Sequence, residues 1–286
     1  MTILSGYLMP HPPIVISAVG RDQSKIVDAT AKAMDDIGRQ IAELAPEVIV
    51  VISPHGPLFS DAIAIRGEKT LEGHLGSFGA SEVHIKKQNA LELVEALAAM
   101  AVENNIPAVV FDHTLARRFD VSGDLDHGVI VPLSFVENHY QNYKLIEITY
   151  GLLPTDELYR FGQMLTACIE KQGLRAVIIA SGDLSHKLKD SGPYRYDARG
   201  PEFDAWVIEA FRDNDLVKVV TADEAMCEGA GECGKKSLDI MIGALDGLEV
   251  RTRVLSYEGP FGVGYGVVAL TEPQPSEQAK RFDEIV

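Results

Sequence analysis

The sequence predicts a single α/β domain built on a central, mostly parallel or mixed sheet with helices on both faces. Three observations predict it. Short apolar runs rich in β-branched residues alternate along the chain with longer stretches of helical periodicity. The runs at 47–52 and 176–180 are almost continuously apolar, as strands covered on both faces are. A chain of 286 residues, 46% of them apolar, can fill one large core.

Taken in order, the strand candidates are "ILSGYLM" (3–9), "EVIVVIS" (47–53), "AIAIR" (62–66), "PAVVFD" (107–112), "KLIEIT" (144–149), "RAVIIAS" (175–181), "EVRTRVLSYE" (249–258) and "FGVGYGVVAL" (261–270). Helices are expected at about 22–44, 87–104, 155–171, 202–213 and 235–246. In the first, Ile26, Ala29, Ala33, Ile37 and Ile41 recur at the three-to-four spacing of a buried face. No repeat or Gly/Ser linker divides residues 1–270. Residues 271–286, "TEPQPSEQAKRFDEIV", lack a core pattern and are expected to form a polar tail or the start of a linker.

Composition excludes several functions. Forty-two acidic residues against 26 basic ones give a net charge of −16, which repels nucleic-acid phosphates and anionic lipid surfaces. No apolar stretch approaches the roughly 20 residues that span a bilayer. Cys168, Cys227 and Cys233 suggest no disulfide framework, so a reducing cytoplasm is expected, with thiols available as metal ligands.

Four of the eight histidines share one context, at or near the end of an apolar run: His11 in "YLMPHPP", His55 in "VISPHGP", His127 in "DLDHGVIVPLSF" and His186 in "IIASGDLSH". Loops beyond the carboxyl ends of strands form the ligand crevice of open α/β sheets, so four imidazoles placed there can converge. Pro12, Pro13, Pro54 and Pro57 restrict the backbone around His11 and His55, which suits a preorganised metal site. His113 in "VVFDHT" is an outlying candidate, whereas His74, in a glycine-rich loop, and His84, in an alternating strand, read as structural or solvated. A third ligand is offered by "CEGAGECGKK", where Glu228, Glu232 and Cys233 lie in a turn leading into a helix. Two histidines and a carboxylate suit non-haem Fe(II); a thiolate shifts the preference to zinc or Cu(I). Asp183, three residues before His186, is a candidate partner for its imidazole. Ser181, Asp183, Ser185 and His186 could suggest a serine hydrolase, but the stretch lacks the G-x-S-x-G elbow.

These motifs, in this order, resemble the class III extradiol dioxygenases of the LigB type: "PHPP", "SPHG", "DHGVIVPL", "SGDLSH" and "GECGKKSLDIMIGAL". The resemblance covers nearly the whole chain to about residue 270. It implies a LigB-like domain with one Fe(II), held by His11 and His55, with His186 as catalytic acid/base and His127 contacting a catechol-like aromatic substrate that reacts with O2. The third ligand falls on Glu232 or Cys233. Cysteine followed by basic residues resembles the Memo branch of the superfamily, which implies metal or redox function without ring cleavage, and phosphopeptide binding for which Lys235 and Lys236 are the local positive charge. A zinc-dependent hydrolase, a homo-oligomer and a fused or associated second domain stay open.

Overall fold

In a computed structural model, which describes residues 2–285, ten strands form. They are β1 (Ile3–Met9), β2 (Val48–Ser53), β3 (Ile63–Arg66), β4 (Thr70–Leu75), β5 (Ala80–Gln88), β6 (Ala108–Phe111), β7 (Lys144–Thr149), β8 (Ala176–Ser181), β9 (Leu248–Glu258) and β10 (Tyr265–Pro275). Eight make one mixed sheet in the order β6-β3-β7-β2-β8-β1-β10-β9. The central four, β7, β2, β8 and β1, run parallel. The flanks turn antiparallel, β3 against β7 and β10 against β1 and β9.

Period-two alternation divides the central strands between two cores. Leu8, Val50, Ile52, Ile146, Ile148, Ile178 and Ala180 face one side, under helices Leu91–Glu103, Thr155–Gln172, Arg199–Arg212 and Lys235–Ala244. Tyr7, Met9, Ile49, Val51, Leu145, Val177 and Ile179 face the other, under helices Asp28–Leu44 and His127–Glu137. Each of the larger aliphatic side chains contributes roughly 1.5–3 kcal/mol by burial. No described helix is long and apolar enough to cross a membrane.

Each of the eight strands of the large sheet overlaps a run expected from the sequence, the last of them, β10, starting at Tyr265 rather than at 261. The helix expected at 87–104 starts only at Leu91, because Ala80–Gln88 pairs antiparallel with Thr70–Leu75. His74 therefore sits in β4 opposite His84, rather than in a loop. The apolar "HGVIVPLSF" is part of helix His127–Glu137 and not beside a strand. Asp126 caps it by accepting the Gly128 N–H at 2.6 Å, and burial of almost every residue erases the amphipathic stripe that would have marked it. The segment expected as a tail continues β10 to Pro275, and Arg281 N–H then donates to Asp246 at 2.7 Å.

A buried ion cluster braces the sheet at β3 and β7, near its β6 edge. The Arg66 guanidinium, 2% exposed, donates to both oxygens of Glu68 at 3.0 Å and lies 3.4 Å from Glu147 Oε2 in β7. Glu147 is fully buried, and burial pushes its carboxyl up to about 8 despite the pull of Arg66. The folded protein therefore keeps a proton that the unfolded chain releases in the ordinary carboxyl range. Stability is expected to fall between about pH 5 and 8, by at most about 1.4 kcal/mol per pH unit from this group. Urea unfolding across that range should show a flatter slope for Glu147→Gln; an unchanged slope would refute the assignment.

Candidate metal centre

Because β8 lies between β1 and β2, three loops leave the sheet side by side at its carboxyl edge. The register aligns Met9 with Ser181 and Ile52 with Ala180. His11, Asp183 and His55 each follow the last residue of their strand by two positions, so they emerge at one level.

His11 forms the floor, 2% exposed, and His55 reaches over it from a more open position. Their Nε2 atoms are 3.0 Å apart, and Cys233 Sγ is 3.7 Å from His11 Nε2. One donor atom from each of His11, His55 and Cys233 lies within 4.8 Å of the others. His127 stacks on the His55 ring at 4.3 Å between centroids and meets His11 edge-on at 5.4 Å. His186 stands on the loop after β8, with Nδ1 donating to the Gly231 carbonyl at 2.7 Å. That bond directs its Nε2 away from the backbone as a free acceptor.

The loop after β8 and the turn before helix Lys235–Ala244 are joined along their length. His186 N–H and Ser185 Oγ–H both donate to Ala230 O, at 3.1 and 3.0 Å. Cys233 N–H donates to Asp183 O, and Asp183 N–H points back to Cys233 Sγ, each at 3.3 Å. The two backbones touch at their glycines: a Cβ on Gly182 would overlap the Gly234 Cα. Asp204 secures the loop from behind, accepting Ser185 N–H at 2.7 Å and the Tyr257 hydroxyl at 2.7 Å.

The neighbouring Glu232 is turned to another task. Its Oε2 accepts Lys235 N–H at 2.6 Å, at the amino end of helix Lys235–Ala244, where a carboxylate is favoured. Burial pushes its carboxyl up to about 7. Asp183 does not orient His186 as the sequence suggested. Its Oδ1 accepts the His11 N–H at 2.9 Å, while Gly231 holds the His186 ring. His113, 65% exposed and 3.5 Å from Glu68, and His139, paired with Asp35 at 2.7 Å, stand apart from the cluster.

Burial and the three neighbouring imidazoles hold His11 well below the usual histidine range, and burial brings His55 to about 4. Burial also lowers His127 and His186 and pushes the Cys233 thiol up, with Asp183 and Glu232 acting in the same direction on the thiol. Near neutrality the cluster thus presents lone pairs and an undissociated thiol, a set of uncharged groups. A cation fits this donor set, because it replaces the thiol proton and meets no resident positive charge. Two aromatic residues that the sequence does not single out border the site: Phe78 lies 5.3 Å from His127 and Tyr194 lies 5.7 Å from His186, both exposed. They come from the stretches 67–80 and 187–200, whose lack of periodic pattern hides them.

This arrangement agrees with what the chain is related to. It belongs to the LigB family, described as the catalytic LigB subunit of aromatic ring-opening dioxygenase, whose model matches residues 5–268. A Clostridium acetobutylicum protein named only by its locus is 39% identical over 270 residues, 94% of this chain and 58% of that protein. A 2,3-dihydroxyphenylpropionate/2,3-dihydroxicinnamic acid 1,2-dioxygenase of Paraburkholderia xenovorans is 26% identical over 65% of this chain and 54% of its own. A MEMO1 family protein of Methanosarcina mazei is 28% identical over 42% of each chain. The chain thus spans little more than half the length of the first two. The crystal structure of an uncharacterized Escherichia coli K12 protein shares the fold at a TM-score of 0.62 and 14% identity, covering 93% of this chain and 99% of that one.

The glycine contact is directly testable. Gly182→Ala must push the loop and the turn apart, with an expected loss of about 1–3 kcal/mol in denaturant unfolding. Unchanged stability would show that the two backbones are not in contact.

Proposed function

We propose that the chain is a mononuclear metal-dependent oxidoreductase in which His11, His55 and Cys233 hold the ion and His186 and His127 face an aromatic diol. The convergence of three donor atoms within 4.8 Å at the carboxyl edge of the sheet carries this reading. Fe(II), when bound, would supply neighbouring open positions at which a catechol-like substrate and O2 are brought together. Free thiols at Cys168, Cys227 and Cys233 accord with a reducing cytoplasm.

The protein's own groups divide the remaining work. His186 is held through Nδ1, so its Nε2 can take a proton from a substrate hydroxyl and return it later. Burial keeps it neutral and ready to act as a base near neutral pH. His127, with Phe78 beside it, and Tyr194, beside His186, give aromatic walls to a flat ligand. Asp183 acts as a positioning residue, tying the His11 backbone to the Cys233 turn.

One observation favours a second reading. A thiolate in place of a carboxylate suits softer ions, Zn or Cu(I), and accords with a Memo-like metal or redox protein that cleaves no ring.

Anaerobic Fe(II) reconstitution followed by elemental analysis is expected to give about one ion per chain, and His11→Ala, His55→Ala or Cys233→Ala should abolish it in folded protein. Absence of uptake of any transition metal would overturn the site. Glu232→Gln should change metal affinity by less than the roughly 10–100-fold typical of outer-shell losses; a larger loss would move the third ligand to Glu232. Exposure of the Fe(II) form to a panel of catechols in air should give yellow ring-cleavage products. Iron loading without consumption of any catechol would select the second reading. His186→Ala should lower turnover by about 10²–10⁴-fold with metal content unchanged.

A further inference from the structure

We propose that Pro132 and Ser181 form a positioning pair that decides which nitrogen of His11 faces the metal centre, an inference that rests on the metal-centre reading above. Pro132 lies inside helix His127–Glu137 and has no N–H. The carbonyl four residues earlier, that of Gly128, therefore lacks its helical donor. The Ser181 hydroxyl donates to this carbonyl at 2.5 Å.

A hydroxyl has one proton, and with it committed to Gly128, Ser181 Oγ can only accept from His11 Nδ1, 2.8 Å away. The His11 ring must then donate through Nδ1. In its neutral form its lone pair is on Nε2, the atom beside His55 Nε2 and Cys233 Sγ.

The same residue supports the second histidine. Gly128 N–H donates to Asp126 Oδ1 at 2.6 Å, and that oxygen also accepts the Ser53 hydroxyl at 2.8 Å. Ser53 Oγ accepts His55 N–H at 3.3 Å. There is no room for a side chain at 128, where a Cβ would lie 2.5 Å from Ser53 Oγ and 2.8 Å from Asp126 Oδ1. Hydrogen bonds thus run unbroken from the His11 ring through Ser181, Gly128, Asp126 and Ser53 to the His55 backbone.

The test is made on the full chain. In the metal-free protein, ¹⁵N shifts of the His11 ring should report a single Nδ1–H tautomer. Ser181→Ala should give mixed tautomers and weaken Zn(II) binding, measured by chelator competition, by about 10–100-fold. Ser181→Thr should restore both, and Ser237→Ala, which removes another buried hydroxyl, should alter neither. Pro132→Ala supplies an N–H for Gly128 and should weaken Zn(II) binding without lowering the melting temperature. An unchanged His11 tautomer and affinity in Ser181→Ala would overturn the proposal, and wild-type affinity in Pro132→Ala would overturn the role of the proline. If wild-type protein takes up no metal, the metal-centre reading fails separately, because the tautomer measurement needs no ion.

Discussion

The site depends on one close contact between two backbones, Gly182 after β8 and Gly234 before helix Lys235–Ala244. Nothing larger than hydrogen fits between them, so the loop that carries His186 and the turn that carries Cys233 cannot separate without strain. Reciprocal bonds between Asp183 and Cys233, and those from Ser185 and His186 to Ala230, follow from that closeness. Asp183 then binds the backbone of His11. A single residue thereby ties a donor from the first strand's loop to one 222 positions later.

Desolvation sets the chemistry of these groups. His11, His55, His127 and His186 are all shifted towards the neutral form. Asp183 and Glu232 are each pushed up to about 7 by burial. The four imidazoles therefore carry little charge near neutrality, while the two carboxyls are only partly ionised. The chain's net charge of −16 favours the approach of cations over anions. An uncharged donor set within an acidic protein suits a cation better than a phosphorylated peptide, and Lys235, which follows the turn in sequence, is already paired with Asp239 at 2.6 Å.

Much of this is legible in the sequence, because continuous apolar strands and histidines at their ends are local patterns. His11, His55, His127, His186 and Cys233 all stand out as candidates, and the structure places them together. Helix His127–Glu137 is not legible, since a helix buried almost all round shows no periodic stripe and contains a proline. Nor can spacing choose between Glu232 and Cys233. Adjacent residues point in different directions, and here the helix amino end draws the carboxylate away while the glycine contact brings the sulfur inward. The partner of Asp183 escapes the sequence for a related reason: three residues of loop do not define a geometry, and the bond to His11 spans 172 positions.

Gly128 and Pro132 also form a small grammatical unit. Once the helix is in place, the proline at 132 marks the carbonyl four residues earlier as one the helix cannot use. Such a carbonyl calls for a donor from outside the helix. Here the word completing the phrase is Ser181, 53 residues downstream.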